Sequence, residues 1–472
     1  MTTPLWTPED LAALPGARVS GRVEPAFGVS IDTRTLSRGD IFVAIEGARD
    51  GHDFVPAAVA KGAAAAFVAE HRAAQFSGPI VASPDPLELM RALGRAARAR
   101  TEARIVAVTG SVGKTGTKEA LRLVLSRFGR THAAAASYNN HWGVPLTLAR
   151  MPRESLFGVF EIGMNHAGEI APLTAQVRPH VAVVTTVEPV HIAHFRSILG
   201  IADAKGEIFA GLEPGGIAVL NRDNPYFDRL LAHAGASAAG RVIGFGEHAD
   251  ADVRATRIAI GPDASMVEAE VLGRRIAYRV GAPGRHMALN SLAVLAAAAA
   301  LGLDPGEAAG GLADLSAPVG RGERIRLAHP DGEFLVIDES FNANPASMRA
   351  ALATLAAVES GGRRVAVLAD MGELGELGPA AHVELAQAIE ASRVDVVFAA
   401  GPLMRGLWDA LPAARRGVHA ASAAEIEPLV LDAVRPGDAV MVKGSKYTQV
   451  SKVVAALKAR YGQNPAASAG RG

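Results

Sequence analysis

A glycine-rich segment with a lysine and a threonine, RIVAVTGSVGKTGT at residues 104–117, has the residue types that bind a polyphosphate. Its apolar, β-branched start predicts a strand, and the residues after Lys114 predict a helix. Backbone N–H groups of such a loop, together with a lysine, bind phosphate oxygens. Val108 replaces the first glycine of the common motif G-x-x-x-x-G-K-[ST], which leaves the shorter form G-x-x-G-K-T. The segment predicts an ATP site, and the alternative is a plain glycine-rich turn with an exposed lysine.

The loop also offers a ligand for magnesium. Lys114 would neutralise the transferred phosphate, and the hydroxyl of Thr115 would bind Mg²⁺. Glu161 lies in the apolar segment FGVFEIG, where an ionised carboxylate is costly unless it is paired or bound to a metal. Glu161 is therefore a second candidate Mg²⁺ ligand, and the alternative is a solvent-facing glutamate on an edge strand. The loop residues predicted to bind ATP are Gly110, Ser111, Val112, Gly113, Lys114, Thr115 and Gly116.

Other polar positions are ambiguous by themselves. Lys205 lies in a helical segment of mostly small residues, where an exposed surface lysine is the simpler interpretation. His191 is more simply a structural histidine than a ligand. Asn221, Asp223 and Asn224 follow a predicted strand and fit either a turn or a nucleotide contact.

Composition excludes several classes of protein. Among 472 residues, Lys+Arg and Asp+Glu both total 48, so no basic excess points to nucleic acid or to an anionic membrane surface. There is no cysteine, which excludes thiol catalysis and thiolate metal sites. The longest apolar stretch, residues 292–303, is shorter than the about 20 residues that span a bilayer. The start MTTPLWTPED lacks the pattern of a secretory signal, so we expect a cytoplasmic protein without membrane insertion.

Alternation of short apolar runs with helical patterns predicts an α/β fold in three domains. We place the domains at residues 1–102, 103–314 and 315–462, followed by a disordered tail at 463–472. In the third domain, Asn344 followed by Pro345 predicts a capped helix start. The predicted strands are 40–45 and 63–68 in the first domain, 105–109, 158–162, 181–187 and 217–220 in the second, and 334–337, 365–368, 396–399 and 439–442 in the third. The predicted helices include one from residue 56 that Gly62 ends, 86–98 and 288–301.

Eleven segments in order make the chain resemble one family, the Mur ligases of peptidoglycan synthesis. They are TGSVGKTGTKE, NNHWGVPLTL, EIGMNHAGEI, the segment around His191, AKGEIF, VLNRDN, GRHMALNSLAV, VGRGER, VIDESFNANPASM, VLADMGELGELG and VKGS. The first domain contributes SIDTRTLSRGDIFVAIEGARDGHDF, which is similar to the UDP-sugar domain of that family. The resemblance implies a central P-loop-type ATPase domain and a Rossmann-like third domain. We expect a monomer, although the sequence itself does not determine the oligomeric state.

The resemblance assigns roles to further residues. Lys114, Glu161, His191 and Lys205 would be catalytic. Thr115 and Glu161 would bind one Mg²⁺, and His191 would serve a second together with Lys205. In the family this lysine is carbamylated by CO₂, which turns an amine into an anionic oxygen ligand.

ATP and the other substrates would be held by residues from all three domains. Asn290 would meet the adenine with His286 nearby. The other implied contacts are Arg321 and Asp338 for ATP, Ser30, Asp32, Thr33 and Arg34 for the UDP-sugar, and Asn342, Asn344 and Lys443 for the dipeptide or phosphate. For Asp32, Thr33 and Arg34 a plain polar turn is the alternative.

The segment TTVEPVHIAHFRS departs from the family pattern. The family usually has asparagine, glycine and glutamate where this chain has Thr186, Glu188 and Ala193. The missing glutamate affects the expected surroundings of the second metal ion.

Within the family, the run Asn342-Ala343-Asn344-Pro345 resembles the member that adds D-alanyl-D-alanine to UDP-N-acetylmuramoyl-tripeptide. The resemblance implies that ATP activates the tripeptide carboxylate as an acyl phosphate, which the dipeptide amine then attacks. The alternatives are a relative that adds another amino acid, such as a folylpolyglutamate synthase, and a non-catalytic protein that binds a UDP-sugar and ATP. The first domain argues against the synthase. Whether the third tripeptide residue is diaminopimelate or lysine stays open.

Overall fold

Three separate sheets, of 5, 9 and 6 strands, organise the chain. Each sheet is mostly parallel and has helices packed on it, so the predicted α/β architecture of three domains is confirmed. The boundaries 102/103 and 314/315 stay a prediction, and the predicted disordered tail lies outside the described residues. The computed structural model describes residues 3–47, 49–190 and 192–462.

The first domain has the strand order β1-β5-β4-β3-β2, with only the β1–β5 pair antiparallel. Its strands are β1 (Arg18–Ser20), β2 (Gly28–Ser30), β3 (Asp40–Val43), β4 (Ala65–Ala69) and β5 (Ile80–Ser83). Its helices are α1 (Pro8–Ala12), α2 (Val55–Ala60) and α3 (Pro86–Ala99), with 3₁₀ helices at Gly51–Phe54 and Glu70–Gln75. Gly62 follows α2 with φ 83°, as expected for a glycine that ends a helix.

The central domain has the strand order β14-β13-β12-β11-β10-β9-β6-β8-β7. Its strands are β6 (Arg104–Thr109), β7 (Thr131–Ala133), β8 (Phe157–Glu161), β9 (Val181–Val184), β10 (Gly216–Asn221), β11 (Ala239–Gly246), β12 (Val253–Ile260), β13 (Ser265–Val271) and β14 (Arg274–Val280). The strands from β7 to β11 run parallel, and β12, β13 and β14 pair antiparallel. The run from β11 to β14 was not among the predicted strands.

Seven helices pack on this sheet in the described chain: α4 (Lys114–Leu125), α5 (Gly143–Ala149), α6 (Ile170–Val177), α7 (Ile198–Gly206), α8 (Phe227–Gly235), α9 (Arg285–Ala300) and α10 (Pro305–Gly311). Short 3₁₀ helices occur at Ile192–His194, Glu207–Gly211 and Leu312–Asp314. The alanine-rich α9 is buried in the core between the sheet and α4, which confirms the predicted buried helix. In the part of the chain that the structure describes, no helix combines the length and the apolar character that a bilayer span requires.

The third domain has the strand order β15-β16-β20-β17-β18-β19, with only β15 antiparallel to its neighbour. Its strands are β15 (Glu323–His329), β16 (Gly332–Glu339), β17 (Arg364–Ala369), β18 (Val396–Ala400), β19 (Arg416–Ala420) and β20 (Ala439–Lys443). Its helices are α11 (Pro345–Ala356), α12 (Gly378–Val383), α13 (Leu385–Ala391), α14 (Met404–Ala410), α15 (Ala423–Ala433) and α16 (Ser451–Tyr461), with 3₁₀ helices at Gly375–Leu377, Ala413–Arg415 and Lys446–Thr448. Asn344 caps α11 by accepting the N–H of Ser347, as predicted.

Helix α3 joins the first domain to the central domain. It packs against α5, and the indole N–H of Trp6 donates to the carbonyl of Ala149 at 2.9 Å. The buried guanidinium of Arg98 donates to the carbonyls of Val177 and Arg178, both at 2.8 Å, at the end of α6. A residue of the first domain therefore satisfies the free carbonyls at the end of a helix in the central domain.

We expect Arg98→Met to lower the free energy of unfolding by about 2–4 kcal/mol, because it leaves two helix-terminal carbonyls without a donor. Arg95→Met, on the same helix, removes only an exposed pair with Glu88 and should cost less than about 1 kcal/mol. Urea unfolding of both variants checks this expectation. Equal unfolding midpoints for the two variants would contradict the proposed role of Arg98 in joining the two domains.

Candidate functional site

The predicted phosphate loop connects β6 to α4, and hydrogen bonds from neighbouring residues hold it in position. Gly110 has φ 148° and lies so close to Thr185 that a Cβ at this position would be 1.9 Å from the threonine hydroxyl. The N–H of Ser111 donates to the carbonyl of Thr186, and its hydroxyl donates to the carbonyl of Glu188. These contacts fix the loop from outside, while the first N–H groups of α4 have no acceptor within the helix. The loop is therefore built to receive an anion.

Lys114 begins α4 and folds back over the loop. Its ammonium donates to the carbonyl of Gly110 at 2.6 Å and of Ser111 at 3.3 Å. Burial lowers the pKa of Lys114 to about 8, although the nearby carboxylate of Glu161 opposes this shift. An incoming phosphate would favour the charged ammonium and draw it away from these carbonyls.

Glu161 ends β8 and is only 2% exposed. One carboxylate oxygen accepts the hydroxyl of Thr115 at 2.9 Å, and the other accepts the side-chain amide of Asn139 at 2.7 Å. The solvent-facing alternative for this glutamate is wrong, because β8 lies between β6 and β7 inside the sheet. The carboxylate, the Thr115 hydroxyl and the Asn139 amide form a compact group of hard oxygen donors of the kind that Mg²⁺ prefers.

Asn139 is a site residue that sequence reasoning missed. It lies in the quoted segment NNHWGVPLTL, but nothing in its spacing indicated that its side chain would reach Glu161. A Cβ on Gly163 would approach the Asn139 side chain to 2.9 Å, so the glycine leaves room for this contact.

Lys205 lies on α7 and is 2% exposed. Considered alone, its segment predicted a surface lysine, and that prediction is wrong. Burial and the nearby charge of Lys114 lower the pKa of Lys205 far below its ordinary value. Within the described residues, no acceptor forms a hydrogen bond with its amine.

The loop after β9 passes close to these residues. His191, predicted as a catalytic residue and metal ligand, lies outside the described residues. Before it, burial raises the pKa of Glu188, whose carboxylate faces Arg349 of the third domain. After it, the N–H of Ala193 donates to the carbonyl of Glu373 at 3.4 Å, so this loop contacts the third domain.

The start of α9 borders the other side of the phosphate loop. The side chain of Asn290 packs against Gly113, where a Cβ would come within 2.9 Å of it. His286, one turn earlier, is held mostly neutral because burial lowers its pKa. Asn290 therefore lies against the phosphate loop, and the adenine contact of both residues stays a prediction.

Arg321 of the third domain lies close enough to Glu161 to interact with its charge. Its guanidinium lies 4.0 Å from the ring centre of Phe341. Burial lowers the pKa of Arg321, while the carboxylates of Glu161 and Glu339 oppose the shift. Asp338, predicted with Arg321, accepts the N–H and the hydroxyl of Ser340 at 3.0 and 2.5 Å. Arg321 thus reaches the central site, and Asp338 is occupied within its own loop.

The other third-domain residues that were predicted to contact substrates form hydrogen bonds within their own domain. Lys443 is buried, lies 3.4 Å from the carboxylate of Glu339 and donates to the carbonyl of Asn342 at 3.0 Å. The side-chain oxygen of Asn344 caps α11, which leaves its amide group for other contacts.

The predicted UDP-sugar residues form a turn after β2. Arg34 forms a two-pronged ion pair with Asp32, and this pairing lowers the pKa of Asp32. The hydroxyl of Ser30 donates to the carbonyl of Asp32 at 2.9 Å. The carbonyl of Thr33 accepts the ammonium of Lys61 at 2.6 Å. The polar-turn alternative describes the geometry of these residues, and their role in binding stays a prediction.

The other polar residues considered for nucleotide contact support the loop instead. The amide of Asn221 donates to the carbonyl of Thr185, and that of Asn224 donates to the hydroxyl of Thr186. Asp223 accepts the N–H groups of Glu247 and His248. These are turn contacts at the end of β10.

A separate group, Glu46, Asp50 and His52, has the spacing of a metal site but a structural role. Nε2 of His52 accepts the N–H of Ala69 at 2.9 Å, so Nδ1 carries the proton and donates to Asp50 at 2.6 Å. The N–H and the imidazole of His52 hold the pKa of Asp50 down at about 2. The imidazole therefore has no lone pair left for a metal ion.

Comparisons with known proteins support the resemblance. The family models for the Mur ligase family, catalytic domain, the Mur ligase middle domain and the Mur ligase, glutamate ligase domain match residues 26–101, 108–298 and 320–446. The chain is 36% identical to the UDP-N-acetylmuramoyl-tripeptide–D-alanyl-D-alanine ligase of Escherichia coli (strain K12), over 91% of this chain and 93% of that protein. It is 32% identical to the Bacillus subtilis (strain 168) protein of the same name, over 90% and 92% of the two chains.

A solved structure is similar over the whole chain. The crystal structure of MurF from Acinetobacter baumannii has a TM-score of 0.84 and 28% identity, covering 96% of this chain and 98% of that one. The three matched domains and the extent of the sequence identity agree with the site geometry, and the chain belongs to the Mur ligase family.

Proposed function

We propose that this protein is an ATP-dependent amide ligase that joins D-alanyl-D-alanine to UDP-N-acetylmuramoyl-tripeptide. The observation that carries the proposal is the meeting of Lys114, Glu161 and Lys205 with Arg321 of the third domain at one phosphate loop. Its full-length relatives carry the name of this ligase, which supports the choice of substrates. The products are UDP-MurNAc-pentapeptide, ADP and phosphate.

The site favours transfer of a phosphoryl group to a carboxylate. Lys114 and the N–H groups at the start of α4 bind and orient the phosphates, and Arg321 adds a charge from the opposite side. The tripeptide carboxylate attacks the outer phosphate and becomes an acyl phosphate. The dipeptide amine then attacks that carbonyl and releases phosphate. No covalent bond to the protein is required.

The described oxygen donors suit Mg²⁺. Thr115 and Glu161 would hold one ion, which supplies charge neutralisation to the phosphates when it is bound. His191 and Lys205 stay the proposed ligands of a second ion. A carbamate on Lys205 is chemically reasonable, because burial lowers the pKa of the amine and thereby favours the neutral form, which is the form that reacts with CO₂.

The rest of the substrate would contact the outer domains. Ser30, Asp32, Thr33 and Arg34 are the proposed site of the UDP group, because a turn of N–H groups and an arginine suits a diphosphate. Asn290 and Asp338 are the proposed adenosine contacts. Asn342, Asn344 and Lys443 are proposed to meet the dipeptide or the phosphate. Cytoplasmic location and a monomeric state stay predictions.

A phosphate-release assay tests the function directly. With ATP, Mg²⁺ and UDP-MurNAc-tripeptide, phosphate release should depend on D-Ala-D-Ala, because the second step frees the phosphate. Glutamate in place of the dipeptide serves as the control for a folylpolyglutamate-type ligase. Release that ignores the dipeptide, or no release at all, would contradict the assignment.

We expect Lys114→Ala to lower kcat by about 10²- to 10³-fold, since a preorganised donor at a developing charge contributes about 3–4 kcal/mol. The melting temperature should stay within a few degrees, because the lysine contacts only loop carbonyls. The matched control is Lys452→Ala, which removes an exposed lysine of α16. Wild-type kcat in the Lys114 variant would reject the phosphate role.

Lys205→Ala should also lower kcat strongly, and short carboxylic acids such as acetate or formate should restore part of it by replacing the carbamate. In the wild-type protein, ¹³C-labelled bicarbonate should give a carbamate carbon signal that the variant lacks. An unchanged rate in the variant without added acid would refute the carbamate.

A further inference from the structure

A histidine and a glutamate form a dyad at the carboxyl end of β8. His166 lies on the loop between β8 and α6, five residues after Glu161. Its Nδ1 is 3.0 Å from a carboxylate oxygen of Glu169, and its side chain remains 56% exposed. Because a carboxylate only accepts, Nδ1 carries the proton and Nε2 keeps a free lone pair. This is the arrangement by which a carboxylate orients a histidine that acts as a base.

Hydrogen bonds to main-chain N–H groups hold the loop that carries the dyad. The second carboxylate oxygen of Glu169 accepts the N–H of Asn165 at 2.8 Å. Glu207 accepts the N–H groups of Gly168, Ile170 and Ala171 at 2.6, 3.1 and 3.1 Å. These bonds hold the main chain of the loop without any help from the imidazole. The free side of the imidazole therefore has no structural duty among the described residues.

The same bonds connect the loop of the dyad to the helix that carries Lys205. Glu207 follows Lys205 by two residues, so its contacts tie the loop of His166 to the end of α7. The ring of His194 lies 4.5 Å from that of His166, next to the position where Ala193 contacts the third domain. Among the described residues, Glu169 and His194 contact the imidazole of His166, while Glu207 is occupied by backbone N–H groups. The loop of His166 is thus tied to the end of α7 and contacts the segment that reaches the third domain.

We propose that His166 is the catalytic base of the second step, which accepts the proton of the attacking dipeptide amine. This inference rests on the proposed function. The bond between the amine nitrogen and the carbonyl carbon forms while Nε2 accepts a proton from that nitrogen. The bond between the carbonyl carbon and the phosphate oxygen then breaks. The proton passes to the departing phosphate, which leaves as hydrogen phosphate, and the histidine is neutral again. Glu169 is a positioning residue in this scheme.

Two nucleophiles separate this role from a structural one. Hydroxylamine is unprotonated at neutral pH and attacks acyl phosphates without a base, whereas the dipeptide amine needs one. In His166→Ala, phosphate release with D-Ala-D-Ala should fall about a hundredfold or more, since a general base contributes roughly 10²–10⁴ in rate. Release with hydroxylamine should stay within about threefold. Glu169→Gln should lower only the dipeptide rate, by about tenfold.

The control variant is His248→Ala, which removes an exposed histidine in the turn after β11 and should leave both rates unchanged. His166→Gln gives the same comparison if the alanine variant melts early. An equal loss of both rates, or no loss of the dipeptide rate, would overturn the role of His166. If the wild-type protein fails to release phosphate with either nucleophile, the proposed function itself is wrong.

Discussion

The site depends on buried positive charge that the surrounding carboxylates do not fully balance. Lys114 and Arg321 lie close to the phosphate loop, and burial lowers the pKa of both. The carboxylate of Glu161 acts on both cations, and its oxygens accept hydrogen bonds from Thr115 and Asn139. Desolvated cations without a full set of counter-ions favour the binding of anions. A triphosphate and a substrate carboxylate supply that missing negative charge.

This constraint explains the different ways in which the domains meet. The first and central domains join through packed helices and the buried Arg98, so their contact is part of the core. The central and third domains meet through loops: Ala193 contacts Glu373, and Arg321 reaches toward Glu161. An interface that carries unbalanced charge gains most of its stabilisation when the ligand is present. We therefore expect bound substrates to stabilise the contact between the central and third domains.

A second feature is that three glutamates near the site accept hydrogen bonds from backbone and side-chain donors. Glu207 binds three N–H groups at the start of α6, and Glu169 binds one N–H group and the imidazole of His166. Glu161 does the same for a hydroxyl and an amide. Each carboxylate is satisfied by neutral donors rather than by lysines. The cations are consequently left for the substrates, while the loops that carry functional side chains remain fixed.

The local pattern of the chain determined much of this protein. The β-branched run before Gly110, the alanine-rich α9 and the cap at Asn344 were predicted because each depends on neighbours within a few residues. The strands from β11 to β14 were missed because their exposed faces carry charged residues, such as Arg257 paired with Glu268, which interrupt the apolar run of a parallel strand. The predicted strand at 181–187 ends at Val184, because the chain there turns to support the phosphate loop.

Sequence by itself determined the phosphate loop, the α/β class and the family, since these follow from short-range patterns and from the order of motifs. Only the tertiary structure decided that Lys205 is buried, that Asn139 binds Glu161 and that Arg98 joins two domains. The two contacts join residues 22 and 80 positions apart in the chain. Burial and charge pairing depend on which distant residues the fold brings into contact, and the local spacing of residues does not predict those contacts.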